Sequence, residues 1–125
     1  MNYDLDIIPL LKKFEGMQLE SVSGQSNILV KEVNESGVLM ICSDGKEFRE
    51  THKRAKVVFE VLLEHRVVHV DAALKNSGTR RNIPETLLAN LPFIEHVKIN
   101  GQKHLFLNKE YEPTHHLGTL KSKDK

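Results

Sequence analysis

Apolar residues recur every three or four positions between residues 51 and 66, which is the spacing of one buried face of an α-helix. The residues that share this face are Ala55, Val58, Phe59, Leu62 and Leu63. The apolar run RVVHV that follows predicts a short strand, and Asp71 is placed to cap a short helix after it. The pattern therefore predicts a long helix, a strand and a second helix, in that order.

The next segment carries clear signals for a third helix and for a β-hairpin. Asn82 is placed to cap the helix, Pro84 falls in its first turn, and Pro92 ends it. The runs FIEHVKI and QKHLFL flank the turn Asn100-Gly101, a pair that is typical of a tight hairpin. The order over residues 51–107 is therefore helix, strand, helix, helix, hairpin.

The first fifty residues predict a short helix and an antiparallel meander. Asp6 is placed to cap the helix, which would bury Leu10, Leu11 and Phe14. The runs MQLESV, NILVKEV, GVLMICS and KEFRE are separated by turn-rich segments and predict three or four strands. Such a small meander cannot bury both of its faces alone, so we expect it to pack against the helical part.

Length, charge and cysteine usage indicate one domain in a reducing compartment. A chain of 125 residues with a formal net charge of +1 suits one compact domain, and any attraction to nucleic acid must come from a local patch. Cys42 is the single cysteine and is expected to be a buried strand residue. The N-terminus has no signal-peptide pattern and no apolar run has the length of a membrane span, so we expect a cytoplasmic protein without a membrane partner.

Two adjacent arginines form the first candidate for a functional site. Thr79, Arg80 and Arg81 precede the predicted third helix, where backbone N–H groups and the helix dipole favour a phosphate. The guanidinium groups are expected to clamp a phosphate, and Lys75 would extend the patch. Alternatively, both arginines are solvated residues of a surface turn, with Glu85 neutralising one of them.

The third helix and the hairpin supply the remaining candidates. The helix residues predicted to face the core are Ile83, Leu87, Leu88 and Leu91. This leaves an outer face made of Asn82, Glu85, Thr86, Ala89 and Asn90. The asparagine and threonine side chains of this face, Asn82, Thr86 and Asn90, can reach base edges in a major groove. Lys98 and Lys103 flank the hairpin turn and are expected to contact the nucleic-acid backbone.

Neither metal binding nor catalysis is predicted. The chain has seven histidines, but His65 and His69 are separated by a predicted helix end, and His96 and His104 lie on opposite strands of the hairpin without an evident third ligand. The motifs G-x-S-x-G, H-E-x-x-H and the glycine-rich phosphate loop do not occur. The triplet Asp44-Gly45-Lys46 falls on a turn, which does not hold side chains as a nuclease site requires. We expect no enzyme and no cofactor.

Three segments, HVDAALKNSGTRR, NIPETLLANLP and HVKINGQKHLFL, resemble the winged helix-turn-helix superfamily over residues 51–107. The phrase RRNIPETLLANLPFIEHV also resembles small domains attached to bacterial or phage restriction and defence proteins. The first resemblance implies that residues 79–82 and the outer face of the third helix contact DNA, since a helix-turn-helix presents its second helix to a groove.

The expected architecture is an α+β protein in which a small antiparallel β-meander packs on a winged helix-turn-helix unit. Residues 1–107 would form a single compact domain, made of an N-terminal helix plus meander (1–50) and the winged-helix unit (51–107), and residues 108–125 a flexible basic tail. The expected function is a module that binds nucleic acid, first of all double-stranded DNA, in a small regulator or accessory protein of a bacterial or phage system. The alternative is a protein-interaction adaptor or inhibitor that uses the winged-helix face or the edge of the meander.

Overall fold

The computed structural model describes residues 1–76 and 78–108, which form an α+β fold with two antiparallel sheets. The helical elements are a π-helical turn Tyr3–Ile7 and the α-helices α1 Ile8–Lys12, α2 His52–His65, α3 Val70–Ala73 and α4 Asn82–Ala89. The strands are β1 Gln18–Leu19, β2 Ile28–Asn34, β3 Gly37–Ile41, β4 Glu47–Glu50, β5 Val67–Val68, β6 Ile94–Ile99 and β7 Gln102–Leu107. Within these residues, no helix combines the length and the apolar character that a membrane span requires.

The first helical segment begins earlier than predicted. The side chain of Asn2 accepts a hydrogen bond from the Leu5 N–H (3.0 Å), and the Asp6 carboxylate accepts one from the Asn2 N–H (2.7 Å). Asn2 is therefore the N-cap, and the prediction that Asp6 caps the helix is wrong. Pro9, which cannot donate a backbone hydrogen bond, is the second residue of α1, the helix that follows the π-helical turn.

The predicted meander is confirmed. The strands pair in the order β1-β2-β3-β4, each antiparallel to the next, so every connection is a local one. Gly37 starts β3 with a φ of +149°, and a Cβ atom built on it would lie 2.1 Å from the backbone oxygen of Glu50. Only glycine allows β3 to approach the end of β4 this closely.

The predicted hairpin is confirmed as well. Strands β6 and β7 pair around Asn100-Gly101, and both turn residues have positive φ (52° and 79°), as a type I′ turn requires. Strand β5 joins the far side of β7, which gives the order β5-β7-β6. Residues 52–107 thus follow the predicted order of helix, strand, helix, helix and hairpin, while their assignment to the winged helix-turn-helix superfamily stays a prediction.

Several predicted helix details are wrong. His69 occupies the N-cap position of α3 and Arg81 that of α4, and neither helix has a side-chain cap hydrogen bond, so neither Asp71 nor Asn82 is a cap. Helix α2 buries the predicted residues except Leu63, which is 36% exposed. Asn108, predicted to begin a flexible tail, donates its N–H to the Phe93 carbonyl and its side-chain amide to Glu95. The rest of the predicted tail lies outside the described residues.

One hydrophobic cluster joins the two sheets. It includes Leu19, Val30 and Met40 from the meander, Leu105 from the second sheet, and Phe59 from α2. The meander therefore buries a face against the helices instead of standing alone, as its small size requires.

Replacing Gly37 with alanine should destabilise the fold strongly. The added Cβ would overlap the Glu50 carbonyl and strain the backbone, at a cost of roughly 2–5 kcal/mol in the free energy of unfolding. Gly45→Ala is the matched control, because Gly45 also has positive φ but no atom lies near its Cβ position, and its cost should be about 1 kcal/mol. Urea unfolding of both variants measures the difference, and equal midpoints would contradict the close approach.

Candidate nucleic-acid interface

A buried ion pair positions the loop that carries the predicted phosphate clamp. The carboxylate of Glu50, with only 4% of the residue exposed, accepts hydrogen bonds from Nε and Nη2 of Arg54 (2.9 and 2.8 Å). The same guanidinium donates to the backbone oxygens of Thr79 (2.7 Å) and Arg80 (3.3 Å). Arg54 therefore ties the start of α2 to the loop before α4.

Arg80 is held by the meander. Its Nη2 lies 3.2 Å from a carboxylate oxygen of Asp44, and its guanidinium lies over the ring of Phe48, 5.4 Å from the centroid. A hydrogen bond from the Lys46 N–H and the interaction with Arg80 together lower the pKa of Asp44. Asp44 therefore balances the charge of Arg80 locally. Because the ion pair is partly exposed, it contributes only modestly to stability.

Arg81 makes three hydrogen bonds to α3 and to the loop that connects α3 with α4. Its Nε donates to Asp71 (2.9 Å), and its Nη1 donates to the backbone oxygens of Asn76 (3.1 Å) and Gly78 (2.9 Å). The carboxylates that pair with the two arginines are Asp44 and Asp71, so the alternative in which Glu85 neutralises one of them is wrong. Both arginines brace the loop, which leaves them less free to clamp a phosphate than the sequence suggests.

Helix α4 does not offer the predicted base-reading face. Ile83, Leu87, Leu88 and Leu91 are buried as predicted, but Thr86 (0% exposed) and Asn90 (1% exposed) are buried too. The Asn90 amide donates to the backbone oxygens of Thr86 and Glu20, both at 2.9 Å. Glu20 follows β1, so the connection between β1 and β2 contacts the side of α4 that is predicted to face solvent. Of the three predicted base-reading residues, only Asn82 is partly exposed.

The hairpin places two lysines side by side. Lys98 and Lys103 are directly opposite each other in the register of β6 and β7, on the same face as the buried pair Ile94 and Leu107. In residues 1–76 and 78–108, neither lysine takes part in a salt bridge. Two like charges in this position repel each other and disfavour the hairpin.

Two clefts that share Lys103 bring most of the predicted residues together. The cleft of about 350 Å³ lies between the loop before α4 and the hairpin, and its lining includes Thr79, Arg80, Arg81, Asn82, Glu85 and Lys103. The cleft of about 550 Å³ lies on the other side of Lys103 and is lined by Lys98, His96 and Val22 among others. Six of the nine predicted residues thus line one continuous surface. Lys75 is exposed but lines neither cleft, and Thr86 and Asn90 are buried.

The other chemically active groups are engaged in structure. Cys42 is buried, and burial raises the pKa of its thiol. The ring of His104 contacts the ring of His69, with centroids 5.1 Å apart, and His104 faces Val97 across the hairpin while His96 faces Leu105. Across the described ranges, no group of three or more histidine, cysteine, aspartate or glutamate residues is arranged to hold a metal ion.

Comparisons with protein-family models, curated proteins and solved structures find no match to this chain. The candidate surface therefore stands on the geometry and charge described above. The residues that brace it, Glu50 and Arg54, were not singled out from the sequence, although their i,i+4 spacing at a helix start was a usable signal.

Glu85 should make stability depend on pH. Burial raises the pKa of Glu85, Lys103 lowers it, and Asp71 raises it, with a net increase. The folded protein therefore binds this proton more tightly than the unfolded chain does. Protonation of Glu85 therefore stabilises the fold. This stabilisation is complete below the pKa of Glu85 in the unfolded chain, about 4.3, and is lost as pH rises through the higher pKa in the folded protein.

Glu85→Gln, which cannot ionise, should therefore be more stable than the wild type at about pH 7 and lose this advantage at about pH 3. Urea unfolding at both pH values measures the difference. Glu60→Gln controls for the loss of one negative charge at an exposed position. If the stability advantage of Glu85→Gln instead grows toward acid pH, the pKa of Glu85 is lowered in the folded protein and not raised.

Proposed function

We propose that this chain is a nucleic-acid-binding module that holds the phosphate backbone, first of all of double-stranded DNA. The observation that carries the proposal is the pair Lys98 and Lys103, two ammonium groups on one face of an exposed hairpin without a salt-bridge partner among the described residues. A phosphate between or beside them would relieve their repulsion, and basic side chains supply most of the affinity of proteins for DNA.

The proposed contact is with the backbone and not with base edges. Thr86 and Asn90 are buried under the meander and cannot enter a groove unless α4 separates from it. The guanidinium groups of Arg80 and Arg81 are about one third exposed beside their carboxylate partners and would add weaker contacts. Because backbone contacts carry no direct sequence information, we expect binding with little preference among duplex sequences.

The resemblance of residues 51–107 to winged helices also supports the proposal, since the hairpin would take the position of the wing. A small regulator or accessory protein of a bacterial or phage system, in the cytoplasm, remains the proposed setting.

A second candidate function is a protein-interaction adaptor. It is favoured by Val97 and Ile99, which are 39% and 42% exposed on the opposite face of β6. The face of α4 that the sequence offered for this role is buried. Binding through these apolar side chains would depend little on salt, whereas binding to phosphates would weaken steeply.

The double variant Lys98→Gln/Lys103→Gln should bind duplex DNA more weakly than the wild type. Loss of two charge contacts of about 0.5 to 1 kcal/mol each corresponds to an affinity reduced by roughly 5- to 30-fold at low salt. The slope of log affinity against log salt should decrease by about one per lysine. Fluorescence anisotropy with a mixed-sequence duplex, at several salt concentrations, measures both quantities.

Lys13→Gln/Lys31→Gln is the control for net charge, because it removes two positive charges at exposed positions outside both clefts; Lys31 also loses its salt bridge with Glu47 (3.0 Å). Equal weakening by both double variants would indicate attraction by net charge without a site. An absence of binding by the wild type at low salt would reject the proposed function and favour a protein partner.

A further inference from the structure

We propose that the nucleic-acid surface continues from the hairpin to the corner between β4 and α2, where Arg49 and Lys53 hold a second stretch of the duplex backbone. This inference rests on the proposed function and extends its site to residues on the other side of the loop before α4.

The extension follows from the continuity of the surface. A cleft of about 340 Å³ lies at the start of α2. Its lining consists of Phe48, Arg49, Glu50, Thr51, Lys53, Arg54, Gly78 and Thr79, and the Glu50 carboxylate is paired with Arg54. This cleft shares Gly78 and Thr79 with the cleft that runs to Lys103, which in turn adjoins the cleft beside Lys98. The three clefts therefore form one band from β4 to the hairpin.

The positive charges without a salt-bridge partner among the described residues lie at the two ends of this band. In the middle, the cations of Arg54, Arg80 and Arg81 are each paired with a carboxylate. At the ends, Arg49 and Lys53 on one side and the two hairpin lysines on the other are free of salt bridges within the described part of the chain. A partner that matches this pattern carries negative charge at separated, repeated positions, as a phosphodiester backbone does.

The local structure at Lys53 also favours an anion there. Lys53 lies in the first turn of α2, where the helix dipole disfavours a positive charge. That turn contains no acidic residue, and the side chain of Thr51 forms no cap hydrogen bond. A phosphate bound beside Lys53 would balance its charge and interact favourably with the N–H groups at the start of the helix.

The test compares Arg49→Gln/Lys53→Gln with Lys98→Gln/Lys103→Gln, the four-residue combination and the Lys13→Gln/Lys31→Gln control, all in the full chain. We expect the new double variant to bind a mixed-sequence duplex roughly 5- to 30-fold more weakly than the wild type at low salt. Its salt slope should decrease by about one per residue, and the two double variants should weaken binding additively when combined. Circular dichroism and thermal unfolding establish that each variant is folded, and Lys53→Glu alone provides a second test if the double variant is not.

The outcomes separate this inference from the proposed function. Wild-type affinity in Arg49→Gln/Lys53→Gln, together with weak binding by the hairpin variant, would overturn the extension and leave the hairpin site in place. Wild-type affinity in both variants would overturn both, as would a wild-type protein that does not bind duplex DNA at low salt. An effect no larger than that of the control would also overturn the extension, because it would reflect net charge alone.

Discussion

The position of the loop before α4, at the centre of the candidate surface, depends on the buried carboxylate of Glu50. A buried charge is costly unless it is paired and hydrogen-bonded, and Arg54 satisfies both requirements with two short contacts. The remaining donors of Arg54 hold the carbonyls of Thr79 and Arg80, so the charge that neutralises Glu50 also fixes the loop before α4. The backbone of Glu50 packs against Gly37 of β3. Glu50 therefore contacts the meander through its backbone and α2 through its side chain.

This arrangement places the candidate surface away from α4. The connection between β1 and β2 contacts the face that a recognition helix would present, because the Asn90 amide donates to the Glu20 carbonyl there. The Thr86 hydroxyl and the Asn90 amide oxygen on the same face are buried without a hydrogen-bond partner among the described residues. The accessible part is the rim of the surface. It consists of the hairpin on one side, the corner between β4 and α2 on the other, and the loop before α4 between them, whose arginines are paired with carboxylates. Such a rim suits contact with the phosphates that flank a groove better than contact with its floor.

Much of the fold could be predicted from local sequence signals, because turns and periodicity are local properties. Asn100-Gly101 specifies its hairpin through two positive φ angles, and the apolar spacing of α2 identifies four of its buried residues. The face of α4 could not be predicted, since apolar periodicity identifies one packed side, whereas Asn90 on the other side bonds to Glu20, which is 70 residues away in sequence. The partners of Arg80 and Arg81 lie 36 and 10 residues away, so no local spacing reveals them. The pairing of Lys98 with Lys103 could be predicted, because the tight turn alone determines the register of the hairpin.

A ¹⁵N-resolved NMR titration of the chain with duplex DNA tests directly whether the edges of the surface bind DNA while α4 stays buried. The largest shift changes should occur at the backbone amides around Lys98 and Lys103, with smaller ones around Arg49 and Lys53. The side-chain amide of Asn90 should stay unperturbed and protected from solvent exchange. Large changes at Thr86 and Asn90 with loss of that protection would contradict this prediction, because they would mean that α4 leaves the meander and enters the groove.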